Sequence, residues 1–313
     1  MYRSILVPLD GSMFSEHALP LGLAIARLSG AALRIARVHV PFIGPIEDLG
    51  GVVDRAAREE AQAYLTRVVQ RLRDATPVRI ESALLEVPVA EALCEHAKKT
   101  DTDLIVMTTH GRGPLVRSWL GSIADELVRR TPVPVLLARP QETKPDLGQA
   151  PNFQRVLVPL DGSAFAEQVL EPAIEFGALT LAEYVLARVI EPMIRGDGDL
   201  ASRITDPAAQ GFVERLQVLH DENRAAANAY VEQVAQRLRS RALRVQTRVV
   251  VGEQPAMALL DVAKEEHCDL IAIGTHGRRG LSRLFLGSVA DKILRGASAP
   301  VLIHRPVSTE EKK

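Results

Sequence analysis

Two aspartates, four glycines and two serines recur in the same order in the two halves of this chain. ILVPLDGS, from Ile5 to Ser12, returns as VLVPLDGS from Val156 to Ser163. THGRG from Thr109 and LGSIAD from Leu120 return as THGRR from Thr275 and LGSVAD from Leu286. The shared residues are Asp10 and Asp161, Gly111 and Gly277, Gly121 and Gly287, and Ser122 and Ser288. Glycine lets a backbone approach a ligand closely. A helix N-terminus offers amides that have no partner within the helix and carry partial positive charge. In the second copy Gly274 and Gly277 stand three apart, and nine residues then lead to Gly287 and Ser288 at an expected helix start. That arrangement suits a polyphosphate.

Each of these residues also has a structural reading. Asp10 and Asp161 precede a helix and could cap it, as Ser12 and Ser163 could instead. Ser122 and Ser288 stand three residues before Asp125 and Asp291, a capping-box pattern that needs no ligand. Lone glycines would be turns, but the pairs Gly111/Gly121 and Gly277/Gly287 keep an unchanged spacing of ten, which favours a ligand. His110 and His276 invite a general-base role, yet neither has a nucleophile or an orienting carboxylate at useful spacing; packing of the loop or a ribose contact fits better. Arg112, Arg278 and Arg279 are read either as phosphate contacts or as solvated loop residues. Trp119 and Phe285 share one repeat position and are read as apolar anchors of the loop.

The elements that position these residues alternate. In the first half, strands are expected at 3–9, 33–40, 77–86, 103–109 and 133–139, with helices after Ser12, over 50–74, from about Pro88 and after Ser118. The second half repeats the order, with strands at 154–160, 184–190, 243–250, 269–273 and 300–304. Its helices are expected from Ala164, over 211–239, over 255–266 and from Ser288. Strands alternating with helices imply α/β architecture: two tandem Rossmann-like, doubly wound domains, each with a five-stranded parallel sheet. Asp10 and Asp161 are 151 apart and Gly121 and Gly287 are 166 apart, so the second copy carries a net insertion of about fifteen residues after its second strand. The domains are expected at 1–140 and 153–306, with a Pro-rich polar linker at 141–152 and a tail at 307–313.

Composition narrows the function classes. Over 313 residues, 38 Lys and Arg stand against 39 Asp and Glu, which does not suggest a nucleic-acid surface. Two cysteines, Cys94 and Cys268, fall at non-corresponding places, so neither a disulfide framework nor a metal cluster follows. No signal peptide and no membrane span is read, and a cytosolic protein is expected. There is no Walker-type phosphate loop, HExxH, paired CxxC or GxSxG elbow, which weighs against an enzyme.

G-x-x-G, nine residues and G-S, preceded by a strand ending in V-P-L-D-G-S, resembles the ATP-binding pattern of the universal stress protein family in its tandem two-domain form. The resemblance implies an ATP-binding stress-response protein, with or without magnesium, regulatory or protective rather than catalytic. Asp161 would lie near adenine and ribose, Val189 in the adenine pocket, and Gly274, His276 and Gly277 along ribose and phosphates. Gly287, Ser288 and Val289 would hold the phosphates. The matching residues of the first copy are Asp10, Val38, Thr108, His110, Gly111, Gly121, Ser122 and Ile123. Thr108 departs from Gly274: a branched residue that dislikes positive φ and fills space a ribose would need, it places the first site behind the second. The resemblance also implies that the two last strands pair across a pseudo-twofold, an intramolecular pseudo-dimer, and leaves further homodimerisation open. A slow ATPase in the same cleft and a nucleotide-free interaction scaffold stand as alternatives.

Overall fold

Runs of branched apolar residues form the strands, and the amphipathic stretches between them form the helices that cover the sheet. The computed structural model describes residues 1–41, 47–109, 120–148, 153–193, 207–275 and 287–305. The first half runs β1 (Ser4–Pro8), α1 (Met13–Glu16), α2 (Ala18–Ser29), β2 (Ala32–His39), α3 (Glu47–Ala75), β3 (Ile80–Glu86), α4 (Val89–Lys99), β4 (Leu104–Thr108), α5 (Ser122–Arg130) and β5 (Val135–Ala138). The second half runs β6 (Arg155–Pro159), a 3-10 turn (Ala166–Val169), α6 (Leu170–Gly177), β7 (Glu183–Ile190), α7 (Pro207–Arg239), β8 (Val245–Val251), α8 (Pro255–Glu265), β9 (Leu270–Gly274), α9 (Ser288–Gly296) and β10 (Val301–His304).

Ile5, Leu6 and Val7 are fully buried, which is the signature of a strand covered on both faces. All ten strands join one sheet in the order β3-β2-β1-β4-β5-β10-β9-β6-β7-β8. Within each half the pairing is parallel. At the seam β5 and β10 run antiparallel, with Leu302 opposite Leu136 and Val301 opposite Leu137. Each hydrophobic last strand is thereby covered by its twin, which removes a bare edge from the middle of the sheet. Tyr2 of the first half packs edge-on against Phe176 of the second, with ring centroids 6.3 Å apart.

Two local features position the candidate site. The carboxylate of Asp103 accepts from the amides of Arg3 at 2.6 Å and Ser4 at 3.0 Å, stapling the start of β4 to the start of β1. Asp269 does the same for Gln154 and Arg155 in the second half. Beyond the staple, β1 and β4 share only the register pairs Ile5–Leu104 and Leu6–Ile105. Their carboxyl ends therefore part, as do those of β6 and β9 after Leu157–Ile271. Winding reverses at this point, and a crevice forms there in open α/β sheets.

The helix expected after each D-G-S segment is not continuous. It breaks at His17 in the first half, and in the second it begins as the 3-10 turn, with α6 starting only at Leu170. Pro20 and Pro172 explain both: proline lacks an N–H, and its ring crowds the carbonyl four residues back, so an α-helix starts shortly before it. The strands expected from 77 and 243 begin at Ile80 and Val245.

Candidate functional site

Where β1 and β4 part, a cavity of about 740 Å³ opens. Asp10, Val38, Thr108, Gly121, Ser122 and Ile123 all line it, so every described residue of the expected first-copy nucleotide set meets in one place. The amide of Gly121 donates to the carbonyl of Thr109 at 2.7 Å, which fixes the start of α5 to the end of β4. In the second half Asp161 follows β6, Val189 lies in β7, Gly274 ends β9, and Gly287, Ser288 and Val289 open α9. His110, Gly111, His276 and Gly277 lie outside the described residues. So do Arg112, Trp119, Arg278, Arg279, Phe285 and most of the insertion.

Ser12, not Asp10, caps α1: its Oγ accepts from the amide of Ser15 at 3.2 Å. In the second half Ser163 Oγ accepts from the amide of Ala166 at 3.1 Å, although the N-cap of the 3-10 turn is Phe165. Each aspartate braces its serine instead: Asp10 Oδ1 accepts from Ser12 N at 2.9 Å and Ser12 Oγ at 2.6 Å. Asp161 and Ser163 repeat both distances. The chain passes between aspartate and serine through Gly11 and Gly162, both at φ +88°, a left-handed conformation that glycine adopts without strain.

The capping-box reading of Ser122 and Ser288 does not hold. The N-caps of α5 and α9 are Gly121 and Gly287, one residue earlier, so each serine sits inside the helix. Asp125 and Asp291 pair instead with Arg129 and Arg295 one turn on. Among the described residues no side chain caps either helix, which leaves first-turn amides to face the crevice.

Thr108 does not close the first crevice. Its counterpart Gly274 is an ordinary strand residue in register with His304, outside the left-handed region, so the position makes no special demand for glycine. A Cβ built on Gly274 would come no nearer than 3.7 Å to the carbonyl oxygen of Phe165, a normal contact. Thr108 takes the same register position opposite Ala138 and forms part of the cavity wall.

The motifs did not point to one further constellation. The guanidinium of Arg37, on β2, lies 4.9 Å from the ring centroid of Tyr64 on α3, and Arg188 lies 5.1 Å from Tyr230. Tyr64 donates to Glu16 Oε1 at 2.9 Å, and Arg71 pairs with the other oxygen of Glu16. Tyr230, Glu167 and Arg237 repeat the arrangement. Burial first, and then the Glu16 or Glu167 carboxylate, pushes both phenols well above the ordinary tyrosine range, so they stay neutral donors. The recurring A-R-V of 36–38 and 187–189, with Q-R-L-R at 70–73 and 236–239, was the available signal.

A model of the Universal stress protein family matches residues 1–139 and again 152–305. The chain belongs to the universal stress protein family. Its two copies make it a tandem member of this group of stress-response proteins. A universal stress protein of Mycobacterium tuberculosis is 27% identical over 315 residues, covering 97% of each chain. One from Methanocaldococcus jannaschii is 33% identical over 143 residues, 44% of this chain and 83% of its own length. The crystal structure of a universal stress protein from Archaeoglobus fulgidus superposes with a TM-score of 0.65 at 21% identity, covering 96% of both chains, which shows the shared fold. No helix among the described residues is long and apolar enough to cross a membrane.

Proposed function

We infer that this universal stress protein binds adenine nucleotide in the crevices at the carboxyl ends of its strands, and that its role is regulatory or protective rather than catalytic. One observation carries the reading: Asp10, Gly121 and Ser122, picked out by the repeat, and Val38, Thr108 and Ile123, implied by the family resemblance, line a single cavity of about 740 Å³. That volume lies within the roughly 300–1,000 Å³ of small-molecule sites. The chemistry of the walls fits the ligand. First-turn amides of α5 suit a phosphate, with the Ser122 hydroxyl beside them; Val38 and Ile123 supply apolar surface for a base. Asp10, braced on Ser12 through Oδ1, adds a carboxylate to the wall for the base and ribose. Asp161, Val189, Gly274, Gly287, Ser288 and Val289 would act alike in the second half, together with His276 and Gly277, as His110 and Gly111 would in the first.

Both crevices take part in this reading, since Thr108 leaves the first one open. ATP, with or without magnesium, would prefer one arrangement of the loops around it and shift the population toward that state. Nucleotide is held for its effect on shape and partner choice.

Titration calorimetry with ATP tests the reading. Gly121 sits at φ −60°, ψ 147° and Gly287 at φ −51°, ψ 148°, backbone that most residues adopt. Valine at either place adds a branched side chain beside the phosphate seat, and as a poor N-cap it also costs each helix about 1 kcal/mol. Wild-type protein is expected to bind ATP, and Gly121→Val with Gly287→Val to lose most of that affinity while still melting as a folded protein at a modestly lower temperature. A wild-type chain that takes up no ATP refutes the proposal.

A further inference from the structure

The Arg37 guanidinium faces the first cavity without a protein acceptor: among the described residues it makes no hydrogen bond or ion pair, and its one close partner is the Tyr64 ring. Arg188 stands on Tyr230 in the same way. Neither side chain is loose. A Cβ placed on Gly11 would meet the Arg37 guanidinium carbon at 3.0 Å, and one on Gly162 would meet Arg188 Nη1 at 3.1 Å, so each cation is held between a tyrosine ring and a glycine backbone. The tyrosine is itself held by Glu16 or Glu167. A planar guanidinium fixed on an aromatic face with its N–H donors unspent is built to receive a bidentate oxyanion. A partly buried cation without an anion is otherwise unfavourable.

Position decides which oxyanion. Arg37 lies on β2 and the amides of Gly121 and Ser122 follow β4, on opposite sides of β1. Two strand spacings, roughly 10 Å, separate these strands. One phosphate group on the helix terminus therefore leaves Arg37 for a different group. Resting on the nucleotide reading above, we propose that Arg37 and Arg188 form a second anion seat in each crevice, and that the preferred ligand is a nucleotide phosphorylated at two places, with a phosphate on the ribose hydroxyl side as well as at the 5′ end. The carboxylates on the same wall are Asp10 and, in the first crevice, Glu60. The repeat places Ala226 where Glu60 stands, so the second seat lacks that opposing charge and is the stronger of the two.

Calorimetric titration of the full chain with AMP, adenosine 3′,5′-bisphosphate and adenosine 2′,5′-bisphosphate tests this. Wild-type protein is expected to bind one of the bisphosphates about tenfold or more tighter than AMP, the gain typical of a charge-assisted bidentate contact. Arg37→Gln combined with Arg188→Gln is expected to abolish that ratio while AMP affinity stays within about twofold. The ratio is internal to each protein, so a general loss of stability does not mimic it, and the wild-type comparison stands even if the variant fails to fold. Equal affinity for AMP and both bisphosphates overturns the second seat and leaves the nucleotide reading standing, and so does a preference that survives in the variant. No binding of any of the three overturns the second seat, and the ATP titration above then decides the nucleotide reading separately.

Discussion

Arg37 rests on Tyr64, with 4.9 Å between guanidinium carbon and ring centroid, and its other side is closed by the backbone of Gly11. That contact explains why glycine is needed at 11 twice over: φ is +88° and the space a Cβ would take is filled. Gly11→Ala is expected to lose about 1–2 kcal/mol from the backbone strain, with a further loss from displacing Arg37. In the double variant Gly11→Ala with Arg37→Ala only the second part returns. Chemical denaturation of the four proteins in the cycle measures it, and strict additivity would contradict the contact.

Tyr64→Phe keeps the ring under Arg37 and removes the hydroxyl that donates to Glu16 at 2.9 Å. A hydrogen bond to a charged acceptor is worth about 1.5–3 kcal/mol. Arg71 remains on Glu16, so the expected loss lies at the lower end, near 1.5 kcal/mol. Tyr230→Phe should add to it independently, because the two sites share no partner. Equilibrium unfolding of the single and double variants checks both statements.

The β5–β10 seam should hold the halves together without the chain between them. After proteolysis within residues 141–148 the two fragments are expected to co-elute on gel filtration. Leu136 and Leu302 face each other fully buried. Leu136→Asp puts an unpaired carboxylate in that contact, a large penalty, and should make the cut fragments separate. Fragments that part in the wild-type protein would show that the seam is weak.

Burial pushes the His304 imidazole below its ordinary value of 6.5, and its Nδ1 has no partner among the described residues. The unfolded chain therefore binds a proton more readily than the folded one, so stability rises with pH across the imidazole range and falls as pH drops below it. His96 is lowered by burial and by Arg34, with the same sign. Denaturation midpoints between about pH 7 and about pH 5 should decline, and His304→Leu should flatten part of that slope. An unchanged slope in the variant would assign it elsewhere.

All ten strands were legible because branched runs bounded by Gly, Pro and Asp have few other readings. The breaks at Pro20 and Pro172 were less visible, since proline is also common in a helix's first turn. Asp10, Gly121 and Ser122 could be grouped before any coordinates because repetition marks positions that a single motif leaves ambiguous, whereas Val38, Thr108 and Ile123 joined them only through the family resemblance. The backbone demand at the Thr108 position was misjudged: a glycine in one copy suggested a left-handed conformation, whereas Gly274 is plain strand. Arg37 and Tyr64 escaped notice because 27 residues separate them, and only the folded register of β2 against α3 brings a cation onto that ring.

A crystal structure of the full chain grown with ATP bears most directly on the central claim. The account predicts a base beside Asp10 and Val38 with phosphate oxygens on the amides of Gly121 and Ser122, and the same pose at Asp161, Val189, Gly287 and Ser288. Crystals saturated with ATP that show both crevices empty, or the nucleotide seated elsewhere on the protein, would contradict it.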